Sequence, residues 1–138
     1  MTTEQKKPAF EVVLLGIIFD PSTRKILIGR REHDPVKKLT WCFPGGRLGY
    51  NESLDKVLKQ KIKNKTGYEV KNLGAVFVNT WPEKENLLVT YYLCEVFSGE
   101  PIPGDDIAEL KWVDPDKVEK YLKTSFNKRL KEYILSLG

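Results

Sequence analysis

The 138-residue chain has a single histidine and only two cysteines, and it has no long apolar run. No stretch reaches the ~18 apolar residues that a membrane-spanning helix needs, and the N-terminus carries no signal-peptide pattern. No membrane partner is therefore expected, and a cytoplasmic location is. Cys42 and Cys94 both sit in strand-like apolar contexts, so they read as buried thiols rather than as a disulfide or a metal-binding pair. Charge of one sign is also not dominant: 23 Lys and Arg against 19 Asp and Glu leave a net +4. That balance suits an anionic ligand, and it equally describes a lysine-rich solvated surface. There is no RNP-like signature of aromatic and basic residues, so nucleic acid is not an expected partner. Internal repeats and low-complexity segments are absent too.

What is present is enough for one domain with a proper core. Residues 1–8 are polar, end at Pro8, and read as a flexible N-terminus; residues 9–138 form the domain. Phe10 to Phe19 is an apolar, β-branched stretch expected to be a strand covered on both faces. A turn at Asp20-Pro21-Ser22-Thr23 returns the chain as a second strand, Lys25 to Arg31. A polar loop to Thr40 leads into Trp41-Cys42-Phe43, and Gly45-Gly46 read as a glycine turn. Asn51 is the expected N-cap of a helix from Glu52 to about Thr66, with Gly67 at its C-terminal stop. Leu54, Val57, Leu58 and Ile62 share one face of that helix. Acids fall early and lysines late along it, which complements the helix dipole. Val70 to Trp81 and Leu87 to Phe97 read as a long hairpin with its turn at Pro82 to Asn86. Ile107 to Val113 is a short strand. Pro115 opens a helix to about Lys123, and a last helix runs from near Phe126 to Leu137. The order is β-rich with one central and two terminal helices, an α+β domain.

Residues 41 to 68 carry a resemblance. Trp41 through Gly46, then Glu52, Ile62 and Gly67, resemble the approach and frame of the Nudix box: its first glycine falls on Gly46, its glutamate on Glu52, its apolar position on Ile62 and its last glycine on Gly67. The strand Ile26-Leu27-Ile28-Gly29-Arg30-Arg31 and the segment Asp106 to Val113 are similar to the flanking strands of that family. The resemblance spans roughly residues 10 to 123, with the box at 46–68. It implies the Nudix fold, an αβα sandwich around a mixed β-sheet, and a MutT-like chemistry on nucleoside diphosphate derivatives.

The box departs from the family where the family holds its metal. The motif's arginine is Gln60, its next glutamate is Lys61, and its paired glutamates are Asn64 and Lys65. Magnesium and manganese want oxygen ligands, preferably carboxylates, and a charged lysine offers donors only. No cofactor is expected at the box, and the usual hydrolysis is expected to be lost or strongly weakened. Two readings of the lysines stand side by side: Lys61 and Lys65, helped by Arg47, bind a small phosphorylated ligand directly, or they serve solubility and the helix dipole. In the GDP-mannose mannosyl hydrolase branch of the family, arginines matching Arg31 and Arg47 serve the diphosphate, so the resemblance implies that role here beside the alternative of surface arginines. That branch has a catalytic histidine where Thr90-Tyr91-Tyr92 stands, so its reaction is not carried over. Glu52, the one matching box carboxylate, is a substrate-site candidate with a helix-start capping role as its alternative. Asp105, Asp106 or Glu109 would supply a displaced base or a ligand for Mg or Mn in a divergent hydrolase, or else they form the turn, solvate the strand edge and pair with a lysine. His33, beside Asp34, is a loop histidine with a possible base role. Trp81, Tyr91 and Tyr92 stack on a base or pack the core. A basic RNA-binding or protein-docking module is the third reading, and it rests on charge alone.

Overall fold

A computed structural model describes residues 10–32, 41–81, 84–122 and 127–138. The expected N-terminal segment, His33 and Asp34, Pro82 and Glu83, and Lys123 to Phe126 lie outside the described residues. The elements are β1 (Glu11–Asp20), β2 (Lys25–Arg31), β3 (Trp41–Cys42), β4 (Gly45–Leu48), α1 (Leu54–Thr66), β5 (Tyr68–Trp81), β6 (Lys84–Gly99), β7 (Ile107–Val113), a 3-10 turn at Pro115–Lys117, α2 (Val118–Tyr121) and α3 (Lys128–Ser136).

The sheet is mixed. β1 runs parallel to β6 along its whole length, from Glu11 opposite Leu87 to Phe19 opposite Glu95. Every other pairing is antiparallel. Along its other edge β1 is shared: β2 pairs with Ile18 to Asp20, and β4 pairs with Val12 to Leu15. β2 is shared in the same way, between β1 and β3 on one edge, with β7 along the other. The two central strands thus part near Ile18 and Leu27, and the chain crosses from β3 to β4 inside the opening. Buried Phe43 and Pro44 make that crossing, and the Pro44 carbonyl accepts the Gly16 N–H at 2.8 Å.

Alternation along β1 sends Leu14 and Ile18 to one face and Leu15 and Ile17 to the other, all of them buried. The first pair packs with Val57, Leu58 and Ile62 of α1 and with Val70, Tyr92 and Cys94. The second packs with Ile26, Ile28, Val89, Tyr91, Val118 of α2, and Leu130 and Ile134 of α3. Helices cover both faces, so the αβα sandwich is present. Each fully buried aliphatic side chain contributes roughly 1.5–3 kcal/mol, and both sides of the sheet draw on this term.

Several boundaries differ from the sequence reading. Gly45 and Gly46 belong to strand β4, not to a turn. A Cβ at Gly45 would lie 1.9 Å from the Leu14 carbonyl oxygen, so the glycine permits close strand approach. The turn comes later, with Asn51 left-handed at φ 60. Ser53, not Asn51, is the residue before the helix. The long hairpin starts at Tyr68, directly after left-handed Gly67, and continues to Gly99. The helix opened by Pro115 breaks into a 3-10 turn and four α-helical residues. The last helix begins at Lys128, capped by the Asn127 side chain, which accepts the Arg129 N–H at 2.8 Å.

Candidate functional site

The site grows from the way β4 and α1 meet. Gly46 faces α1, and the aliphatic stem of Lys61 lies across it: a Cβ there would come 2.9 Å from Lys61 Cδ. Lys61 is half-buried. Three other lysines of α1 are paired, Lys59 with Asp55 at 2.9 Å, Lys63 with Glu69 at 3.5 Å and Lys65 with Asp106 at 3.4 Å. Lys61 has no ion-pair partner among the described residues. Lys65 stands one turn further on the same face, only 17% exposed. Asn64, on the same face, accepts a hydrogen bond from Gln60 at 2.8 Å.

Beside Lys65 the ends of β2, β3 and β7 converge. Arg31 closes β2 opposite Ile107, after an irregularity between Arg30 and Arg31. Its Nε is buried and, among the described residues, lacks a hydrogen-bond partner. Cys42 of β3 sits against it. Burial pushes the Cys42 thiol up, while the Arg31 and Lys65 cations pull in the opposite direction. Asp106 completes the group. Its Oδ1 meets the Lys65 ammonium as an ion pair without hydrogen-bond geometry, so that oxygen too is buried without a hydrogen-bond partner.

The predicted site residues therefore separate. Arg31 and Lys65 lie beside Cys42 and Asp106, and Lys61 stands one turn back along α1 from Lys65, against Gly46. Arg47 does not join them. Its strand neighbours Gly46 and Leu48 face α1, so alternation puts Arg47 on the opposite face, where it pairs with Glu11. Glu52 accepts the Gly49 N–H at 2.5 Å, which closes the turn before α1 instead of capping the helix. The carboxylates named for a displaced metal site also part company. Asp106 goes to Lys65, Glu109 pairs with Arg30 at 3.1 Å, and exposed Asp105 occupies a left-handed turn at φ 50. Among the described residues no three His, Cys, Asp or Glu side chains converge as a metal site. The donors on the box face of α1 are two ammonium groups and an amide already bonded to Gln60, and these do not fit magnesium or manganese.

Tyr91 is a core residue: it is buried, it meets Phe43 edge-on at 6.0 Å and Phe77 in a tilted contact at 5.9 Å, and burial pushes its phenol up to about 12. Tyr92 is buried against α1. Trp81 lies in β5, and its side chain is outside the described residues, as is His33. The sequence reading missed Cys42 as a neighbour of Arg31 and missed Glu11 as the partner of Arg47. The position of Cys42 two residues before Pro44 was the only signal for the first. Nothing local marks the second, because β1 and β4 are brought together only by the sheet.

A model of the NUDIX domain matches residues 10–136. The chain is 28% identical over 128 residues to an ADP-ribose pyrophosphatase of Methanocaldococcus jannaschii, covering 89% of this chain and 72% of that protein. It is 22% identical over 111 residues to a putative 8-oxo-dGTP diphosphatase of Bacillus subtilis, covering 80% and 72% respectively. In structure it resembles a NUDIX hydrolase from Nitrosomonas europaea with a TM-score of 0.74 and 14% identity, over 94% of this chain and 70% of that one.

Proposed function

The chain belongs to the NUDIX domain family, and from that premise we propose that it binds a nucleotide or nucleoside diphosphate derivative through basic groups, with metal-dependent hydrolysis lost or strongly weakened. The observation that carries this reading is Lys61: a half-buried lysine on the box face of α1, free of any ion pair among the described residues, with Lys65 one turn away. Like charges at that spacing repel by a few tenths of a kcal/mol, and a bound polyanion turns that cost into attraction. Arg31, which lies with Lys65 beside Cys42, adds a buried Nε donor at the Lys65 end of the pair. A hydrogen bond to a charged group contributes about 1.5–3 kcal/mol net, so three of them reach the scale of micromolar affinity. The relatives named for ADP-ribose and 8-oxo-dGTP make those two compounds the first ligands to try.

Without a carboxylate cage the protein forfeits the Lewis-acid stabilisation and water activation that a divalent ion supplies. The divergent-hydrolase reading draws on Asp105, Asp106 or Glu109, and Asp106 and Glu109 are engaged by different cations. The test has two arms. Calorimetric titration with ADP-ribose is expected to give micromolar binding that falls at least about a hundredfold in Lys61→Ala/Lys65→Ala; unchanged affinity would reduce the lysines to solubility and dipole roles. Across nucleotide sugars, dinucleotides and nucleoside triphosphates, phosphate release is expected to stay at background with magnesium or manganese. Brisk turnover that chelators abolish would overturn the loss of hydrolysis.

A further inference from the structure

The Lys65–Asp106 contact is held by main chain that has little freedom. The Ile102 N–H donates to the Thr66 carbonyl at 2.9 Å and the Gly104 N–H to the Lys65 carbonyl at 3.1 Å, so the segment before β7 is stitched across the last turn of α1. A Cβ at Gly104 would come 2.0 Å from the Asn64 carbonyl oxygen, an approach that only glycine permits. On the other side, the Glu32 N–H donates to the Asp106 carbonyl at 2.7 Å and ties the segment to the end of β2. Asp106 is pinned from both directions. Its carboxylate nevertheless meets Lys65 imperfectly, and its Oδ1 and Arg31 Nε are both buried without hydrogen-bond partners among the described residues. Buried polar atoms are rarely left so. The ammonium is the movable member of the pair, being a point charge on a flexible stem.

We propose that Asp106 is a built-in competitor for the phosphate site: it holds Lys65 in the free protein and yields it only to a ligand with concentrated negative charge. This rests on the binding reading given above. A phosphodiester with one negative charge offers Lys65 no more attraction than the carboxylate already does, whereas a diphosphate or terminal phosphate offers more. When Lys65 turns to such a ligand, Arg31 donates its open Nε–H to a phosphate oxygen. The pinned carboxylate stays nearby and repels whatever enters. Asp106 thereby sets the charge threshold for binding and selects polyanionic phosphate over monoanionic diesters.

The experiment titrates the full chain with inorganic pyrophosphate and with dimethyl phosphate by calorimetry. The wild-type protein is expected to bind pyrophosphate and not dimethyl phosphate. Asp106→Asn is expected to bind pyrophosphate at least about tenfold more tightly and to gain measurable affinity for the diester. Adding Lys65→Met should erase both gains. Unchanged affinities in Asp106→Asn, gains that persist without Lys65, or no pyrophosphate binding by either protein would each overturn the proposal. If Asp106→Asn changes nothing while Lys61→Ala/Lys65→Ala still loses pyrophosphate, the competitor role falls and the binding reading survives. Should Asp106→Asn fail to fold, carbon-13 NMR of the wild-type Asp106 carboxylate decides: its resonance must shift when pyrophosphate saturates the site, and a static resonance overturns the idea.

Discussion

Gly45 and Gly46 are neighbours, yet they answer to different demands. At Gly45 an added methyl group meets the Leu14 carbonyl at 1.9 Å, and backbone cannot step aside. At Gly46 it meets the stem of Lys61 at 2.9 Å, which can. Gly45→Ala is therefore expected to cost about 3 kcal/mol, at the upper end of typical overpacking penalties, seen as a lower denaturation midpoint with an unchanged slope. Gly46→Ala should cost less stability and act on Lys61, and so on ligand affinity. A loss below about 1 kcal/mol for Gly45→Ala would mean that β1 and β4 separate easily. Side-chain chemistry at this scale was legible from the sequence. A charged lysine cannot ligate a cation wherever it points, and that much needs no fold. The destination of Arg47 was not legible, because its partner Glu11 is 36 residues away and is delivered by strand pairing.

At the scale of one element, α1 is where the sequence reading was most nearly complete. Its buried face was read from spacing, and Val57, Leu58 and Ile62 are buried as that spacing requires. Its end at Thr66 follows from left-handed Gly67, whose N–H closes on the Lys63 carbonyl. Its start was misplaced by two residues, since Asn51 and Glu52 are used up in the preceding turn. Because the frame is intact, changing only the ligand-bearing positions is a fair test of it. Lys61→Glu, Asn64→Glu and Lys65→Glu together place new carboxylates on the box face, one of them at the position that now lies against Asp106. The apo triple variant is expected to melt at a lower temperature from like-charge repulsion. Manganese should bind it, measurable by calorimetry, and restore the melting temperature. A folded triple variant that ignores manganese would place the box register elsewhere.

The whole molecule hangs on β6, which contributes to both layers of the sandwich. Cys94 sits in the layer under α1 and Tyr91 in the layer under α2 and α3. Burial pushes both groups up to about 12, from 9.0 for the thiol and 10.0 for the phenol. Each group is held protonated in the folded state. Its stabilising effect is complete below the unfolded-state value and is lost as pH rises from there toward about 12. Thermal stability should therefore be insensitive to these two groups below pH 9 and then decline, first through Cys94 and above pH 10 through Tyr91 as well. Each pH unit above the unfolded value removes about 1.4 kcal/mol per group. Melting curves of the native chain and Cys94→Ala across this range check the order, because the variant should show no decline between pH 9 and 10 and a shallower one above pH 10. Identical slopes would show that the thiol is not held protonated by burial.

Local periodicity and turn chemistry were enough to establish most of the strands and the central helix, because each depends on residues within a few positions of one another. Closure of the sheet decided the rest. It made strand out of a glycine pair that reads locally as a turn, sent Arg47 to the far face and set Asp106 against Lys65. Which distant charge a side chain meets is determined by strand register and loop docking, and those come into being only when the chain is packed.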